Sequence, residues 1–430
     1  MGTIGFGSYR VSIKSAEHKE ALLTALKLGC SLIDTSSNYT NGESEELIGV
    51  VLSENPQFNP IIVTKAGYIQ GKNLEILKEL HSKGLALLDL VDIDEHLKHS
   101  IYPEFLKNQL DLSLNRLKRS SLDVFLLHNP EYYFKTKDAN QEEYYQRIQK
   151  AFAYLESEVE AGRIKSYGIS SNNFILPLSH PEVTSLSKVL EVARNLKIKN
   201  HFTHIQFPLN MIEIGALEKN GEYGPQNLIE LAQMNNLITM ANRPLNSFSN
   251  NQLVRLATYE FMIDHFDQVK AQIDFEMCMK LVEEKWLFEA TLDEQSLDSS
   301  SKEFNQITIV NQFKELWNTL QSPDAVEQVY FSHFFPFIAR IWGNDGLSVV
   351  ESAPFYQLLE HSYLFSRINM TKKAYEFKKQ ATDVGLLPVE TGHPFAVDVI
   401  ETYLSYGVDF VLLGMKKTEY VNQVSFLFNI

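Results

Sequence analysis

The chain has 430 residues, 44% hydrophobic and 11% aromatic, an ordinary globular composition that excludes a disordered polypeptide. A net charge of −15, from 39 Lys and Arg against 54 Asp and Glu, repels the phosphates of nucleic acids and anionic lipid, so neither is an expected partner. Cys30 and Cys278 lie far apart without metal-ligand spacing, which suits a reducing compartment and argues against a disulfide scaffold.

The opening "MGTIGFGSYRV" lacks the basic and long apolar regions of a secretory leader, and no run of about 18 apolar residues occurs. A cytosolic protein is therefore expected. Short apolar runs then alternate with amphipathic segments: "TIGFG" (3–7), "SLIDTS" (31–36), "IIVTKA" (61–66), "DVFLLHN" (123–129), "SYGISS" (166–171), "HIQFPL" (204–209), "LITMAN" (237–242) and "DFVLLG" (409–414). Residues 16–29, 102–118 and 151–162 carry apolar residues at helical spacing, with Gly29 and Gly162 at C-cap positions. Eight strands with intervening helices predict an α/β fold, a (β/α)8 TIM barrel. No G-x-G-x-x-G follows the first strand, so a doubly wound nucleotide-binding sheet is not favoured.

Two stretches interrupt the rhythm. Residues 68–101 follow the third strand, and a mostly helical insertion over 250–389 separates the seventh strand from the eighth. The expected organisation is barrel strands one to seven over 1–249, the insertion over 250–389, and the last helix and strand over 390–430 with a C-terminal helix. The segment Val329–Gly343 reads as a buried helix of that insertion, and "DEQSLDSSSKE" (293–303) as a polar joint inside it. Both insertions follow a strand's carboxyl end, where barrel active sites are built. The larger one is thus either a lid or specificity element on the C-terminal face, or a decorative or oligomerising domain that meets a protein partner.

Several strands end on residues that core packing would not choose: Asp34, Lys65, His128, Ser170 and Ser171, Gln206 and Arg243. In a barrel all such ends converge on one mouth, so they form a constellation. A buried ammonium is costly alone, so Lys65 pairs with Asp34. A nearby cation would lower the phenol pKa of Tyr39, ordinarily about 10, and make it a usable proton donor and acceptor. His128 would add a second hydrogen-bond donor to the oxygen being protonated. These groups suit carbonyl reduction, and since no side chain supplies hydride, a nicotinamide cofactor is implied. His201, His204, His333 and His393 lack a completing set of carboxylate or cysteine ligands, so no metal site is predicted.

The segments "GFGSYR", "DTSSNYTNGESEELIG", "VTKAG", "LSLNRLKRSSLDVFLLHNPE", "IKSYGISSNN", "IQFPLN", "ANRPLN" and "VLLGMKKTEYVNQ" resemble, in order, the fingerprint of the aldo-keto reductases. The resemblance implies a TIM barrel that binds NADPH extended across the strand ends. It also implies a catalytic tetrad of Asp34, Tyr39, Lys65 and His128 with Tyr39 as general acid, reducing an aldehyde or ketone or oxidising the alcohol. By position it assigns Gly7, Ser8, Tyr9 and Asp34 to the cofactor. Ser170 and Ser171 fall where the family holds the nicotinamide amide, with Ser171 substituting for an asparagine or the loop shifted. Gln206 matches the glutamine at the same amide, and Asn242 stands where many members stack an aromatic.

Arg243, Pro244, Leu245, Asn246 and Ser247 would wrap the pyrophosphate, with Arg243 its charge partner. Gly414, Lys416 and Lys417 would carry the adenosine 2′-phosphate, or the lysines are simply solvated. Tyr420 and Val424 replace the family's arginine and asparagine, so NADH or dual use stays open. Some members of the superfamily bind the cofactor but act as regulatory or redox-sensing subunits, which is the competing reading.

Overall fold

A computed structural model describes residues 2–82, 84, 89–219, 225–249, 252–256, 258, 266–293, 310–342, 348–387 and 391–429. The chain divides into two compact units, Met1–Val254 with Val397–Ile430, and Arg255–Ala396.

The first unit is a closed barrel. Strands β1 (Thr3–Gly7), β2 (Leu32–Asp34) and β3 (Ile61–Ala66) precede a small sheet of β4 (Tyr68–Gln70), β5 (Val91–Asp92) and β6 (Leu97–His99). The barrel resumes with β7 (Leu122–His128), β8 (Ile164–Ser170), β9 (Phe202–Pro208) and β10 (Ile238–Asn242). After a two-stranded sheet of β11 (Asn246–Ser249) and β12 (Gln252–Arg255), β13 (Phe410–Gly414) completes it. The eight barrel strands run in the circular order β1-β13-β10-β9-β8-β7-β3-β2, every neighbouring pair parallel.

Side chains on a strand alternate in facing, so residues two apart share a side. Leu32, Val63, Val124, Leu126, Met240 and Leu412 form one buried interior cluster. Asp34, Lys65, His128 and Asn242 follow Leu32, Val63, Leu126 and Met240 at that spacing. They are therefore the next layer up on the same inward face. The barrel core below is apolar and the layer at the carboxyl ends is polar.

Three expectations shift in detail. The helix read over 151–162 begins at Gln141, where Asn140 caps the Glu143 N–H at 2.9 Å and Tyr144, Tyr145 and Ile148 are buried. Its first turns look polar because the tyrosines hide their rings and its acids face outward. The described residues of 68–101 form a three-stranded sheet in antiparallel order β4-β6-β5 with the helix Lys72–Ser82. Asn246 and Ser247, expected in the phosphate-wrapping stretch that starts at Arg243, belong to β11.

The unit Arg255–Ala396 is helical, with Gln268–Asp293, 310–316, Pro323–Val329, Phe335–Trp342 and the long Val349–Asp383. Ser348 and Glu351 form a reciprocal capping box at the start of the last. Segment 329–342 is interrupted by a π-turn, Tyr330–Phe334, so that Tyr330, Phe334, Phe337, Ile338 and Ile341 all face one core. Gly343, and residues 294–303 of the polar joint, lie outside the described residues.

Candidate active site

β2 and β3 bring Asp34 beside Lys65. Lys65 Nζ, fully buried, donates to Asp34 Oδ1 at 2.5 Å and to Thr35 O at 2.8 Å. Burial lowers the Lys65 pKa and the Asp34 charge opposes that fall. On the opposite face of β3, Thr64 Oγ1 donates to Glu45 Oε1 at 2.5 Å, and Glu45 Oε2 accepts Arg116 Nε at 2.7 Å. The strand is thus gripped on both sides.

Tyr39 follows β2 through a tight turn. Thr40, Asn41 and Gly42 take left-handed φ of 49°, 57° and 90° in succession, a conformation costly for the first two, and Thr40 Oγ1 donates to Val11 O at 2.6 Å. Its ring lies 5.2 Å from Lys65 Nζ and meets the His128 ring edge-on at 6.1 Å. Tyr39's pKa is raised, first by burial and then by Asp34 and Tyr9, where a downward shift was expected. The reason is that burial disfavours the charged phenolate, and the Asp34 carboxylate beside it adds to that effect. Tyr39 accordingly holds its proton at neutral pH: it is a donor in the ground state.

His128 closes β7. Burial first, then Lys65 and His99, hold its pKa well below the ordinary value, so it is neutral. Its Nδ1 lies 3.0 Å from Ser36 Oγ. His99 Nε2 sits 2.8 Å from the His128 carbonyl, which only accepts, so His99 carries its proton on Nε2. Gly67 permits that approach, since a Cβ there would fall 2.7 Å from His99 Nε2 and 2.3 Å from His128 O. Tyr68 packs edge-on against His128 at 4.7 Å and Tyr132 at 5.0 Å, and Tyr132 stacks on His99 at 5.3 Å. One side of His128 therefore faces an aromatic wall built from 68–101 and from the stretch after β7.

The polar layer continues around the barrel. Gln206 Nε2 donates to Asp34 Oδ1 at 2.7 Å, while Gln206 Oε1 accepts Ser170 Oγ at 3.0 Å and Asn242 Nδ2 at 3.3 Å. Asn242 Oδ1 is buried without a hydrogen-bond partner. Ser171 is not part of this chain: its hydroxyl lies 2.9 Å from Thr184 Oγ1 and accepts the Asn173 N–H at 3.1 Å. Arg243, at φ 53°, donates from Nη2 to Glu213 at 2.7 Å, and its Nε is buried without a partner. Asn246 N–H closes the turn through Pro244 and Leu245 onto Arg243 O at 3.1 Å. Ser247 contributes backbone to β11, and its side chain lies outside the described residues.

On the other side, Ser8 Oγ donates to Asp34 O at 2.8 Å, and the exposed Tyr9 ring meets Tyr39 edge-on at 5.3 Å. Gly7 sits where a Cβ would be 3.1 Å from Leu413 O, and Gly414 opens onto free space. Lys416 is exposed, while Lys417 caps the helix Thr418–Val424 with Nζ 3.5 Å from Glu17.

Sequence reasoning passed over Ser36, Tyr68 and His99, and read the stretch 129–145, which holds Glu131 and Tyr132, only as a substrate-pocket lining or a polar loop. Glu131, just past His128, is buried; its Oε1 accepts the Asn172 N–H at 2.8 Å and its Oε2 has no partner. Burial pushes its pKa up to about 7 against those hydrogen bonds and Arg243. The one available signal was its place directly after a strand end. Cys30 and Cys278 are both buried, and burial raises their pKa values to about 11 and 12, so neither is a ready nucleophile. No described helix is long and apolar enough to cross a membrane.

The chain is similar to several known proteins. The NADH-specific methylglyoxal reductase of Escherichia coli is 25% identical over 109 residues, covering 25% of this chain and 30% of that protein. The NADP(+) aldo-keto reductase yakc of Schizosaccharomyces pombe is 30% identical over 173 residues, covering 39% of this chain and 42% of that protein. The matches thus span less than half the length of either relative. Among solved structures, the glycerol dehydrogenase of Gluconobacter oxydans overlays with a TM-score of 0.48 at 16% identity, covering 99% of this chain and 86% of that one. The sequence profile of the Aldo/keto reductase family matches residues 1–253, more than half of the chain. This protein belongs to the aldo/keto reductase family.

Proposed function

We propose that the protein is an oxidoreductase that interconverts an aldehyde or ketone with its alcohol, using NADPH as hydride donor and Tyr39 as the proton donor. The observation that carries this reading is the buried Lys65–Asp34 pair set against the Tyr39 ring beside a neutral His128. Family membership supports it, and the two named relatives use nicotinamide cofactors.

The residues present suit such a cofactor. A nicotinamide carboxamide offers both a donor and an acceptor, and the polar layer holds a buried, unpartnered Asn242 Oδ1 beside Gln206 and Ser170. Arg243 Nε, also unpartnered, and Lys416 and Lys417 supply positive charge for pyrophosphate and 2′-phosphate, which favours NADPH over NADH. When bound, the nicotinamide supplies or accepts the hydride. The protein's own groups do the rest. Tyr39 gives its proton to the substrate oxygen as hydride reaches carbon, and takes it back in the reverse direction. Asp34 fixes Lys65 so that its charge remains beside the phenol as the phenolate develops. The Tyr68, His99 and Tyr132 wall keeps water from His128 and presents an apolar face to the substrate.

Oxidation of NADPH and NADH by the purified protein should be followed over a panel of aldehydes and ketones, with cofactor binding measured separately. Turnover of at least one carbonyl, with NADPH preferred, is the expected result. Tight cofactor binding without turnover of any carbonyl or alcohol would sink the reading and leave a cofactor-binding subunit.

A further inference from the structure

Glu213 has no part in the scheme above, yet the Arg243 side chain rests on it. The loop after β9 turns on Asn210, which is fully buried. Asn210 Oδ1 accepts the N–H groups of Ile212 and Glu213 at 3.0 and 2.9 Å. Its Nδ2 donates to Glu213 Oε2 at 2.6 Å and reaches the carbonyl oxygens of Arg243 and Asn246, both at 3.4 Å. The neighbours permit only this orientation of the amide, because backbone N–H groups only donate and carboxylate and carbonyl oxygens only accept. Glu213 Oε1 in turn accepts Arg243 Nη2 at 2.7 Å. One buried amide therefore ties the turn 243–246, entered by Arg243 at φ 53°, to the carboxylate that holds the guanidinium.

The carboxylate fixes the guanidinium without saturating it. Asn210 holds Oε2, so Arg243 is met through Oε1 and not by the two-point fork that arginine and a carboxylate can form. Arg243 Nε is left buried without a partner, a donor that is costly until an acceptor reaches it. We propose, resting on the nicotinamide-cofactor reading of the site, that Glu213 and Asn210 are positioning residues: together they hold Arg243 ready to donate to the diphosphate that NADPH and NADH share. A loose arginine would have to be ordered as the anion arrives, and that lost freedom would weaken binding. The position calls for a carboxylate. An amide at 213 that accepted from Arg243 would turn its own NH2 onto the NH2 of Asn210. Because both dinucleotides carry the diphosphate, this clamp sets how tightly either binds and does not choose between them.

The test is calorimetric titration of the full chain with NADPH, NADH and adenosine 2′,5′-bisphosphate, which carries a 2′-phosphate but no diphosphate. Glu213→Ala and Glu213→Gln should each weaken both dinucleotides by about five- to tenfold, the worth of ordering one long side chain. The ratio of NADPH to NADH affinity, and the affinity for the bisphosphate, should stay within about twofold of the wild type. Glu213 is partly exposed, so both variants should fold, and an unfolding curve without ligand checks that they do. Unchanged dinucleotide binding overturns the proposal. Tighter binding also overturns it, by making Glu213 a competitor of the anion. So does an equal loss for the bisphosphate, which would mean a general disturbance of the site. Wild-type affinity in Glu213→Gln contradicts the need for two acceptors at 213. A wild type that binds the dinucleotides but turns over no carbonyl counts against the proposed function alone, whereas one that binds neither dinucleotide overturns both.

Discussion

In the barrel unit charge is buried, at the strand ends in Lys65, wholly inaccessible, and Asp34, just past one in Glu131, and behind them on helices in Glu45, Glu156 and Glu158. In the unit Arg255–Ala396, no Lys, Arg, Asp or Glu among the described residues is buried. Its centre is aromatic instead, with Phe313 stacked on Phe334 at 3.8 Å and Phe275 on Trp317 at 4.3 Å. The polar groups inside it are few and self-contained, such as Tyr330 Oη with Ser362 Oγ at 2.7 Å. Charge taken out of water is costly unless paired, whereas aromatic area taken out of water is favourable. A region that keeps buried ions therefore does so against its own stability, and the proposed site carries that cost whereas the helical unit does not.

Two substitutions test the contrast at its strongest. Lys65→Met leaves Asp34 buried and unpaired, and should cost about 3–5 kcal/mol in urea unfolding, with much of it recovered in the double variant with Asp34→Asn. Little loss in the single variant would mean the pair is not the tightly coupled one described. Trp317→Ala should cost a similar amount, about 3–5 kcal/mol, for a different reason: a cavity and an uncovered Phe275 face. Restoration by Trp317→Phe, but none by a polar residue of equal size, would sharpen the contrast between packing and pairing.

A smaller effect comes from Glu131. Its folded pKa of about 7 lies above that of an exposed glutamate, so the folded state binds the proton more tightly than the unfolded one. Stability from this group is present at low pH and is lost as pH rises from about 4.3 to 7. Glu131→Gln should match the wild type near pH 4 and exceed it above pH 7, by on the order of 3 kcal/mol. A constant offset across the range would show that the carboxyl titrates normally. His99 and His204 work in the opposite sense: burial lowers both to about 4, so their contribution is lost as pH falls through that value. The smallest effect is Gly162→Ala, at φ 73° with open space around it, expected at about 1 kcal/mol.

The barrel was legible because its strands obey one rule. Leu32 and Asp34, Val63 and Lys65, Leu126 and His128, and Met240 and Asn242 each place a polar residue two positions beyond an interior apolar one. Strand period alone thus forecasts which end of the barrel is polar. What spacing does not carry is contact across long intervals. His99 reaches the His128 backbone from 29 residues upstream, through an insertion with no motif of its own. Ser36 reads as a small filler between Thr35 and Ser37, and its bond to His128 spans 92 residues. The pKa of Tyr39 was expected to shift down and shifts up for a related reason: neither the burial of the phenol nor the Asp34 carboxylate beside it can be read from spacing.

The central claim is that the Tyr39 hydroxyl is the proton donor, and Tyr39→Phe tests it most directly because the ring and its packing survive. Carbonyl turnover should fall by about 10²–10⁴-fold, the usual worth of a positioned acid, while NADPH binding stays near that of the wild type. Turnover within a few-fold of the wild type would contradict the account and move the proton to another group at the mouth.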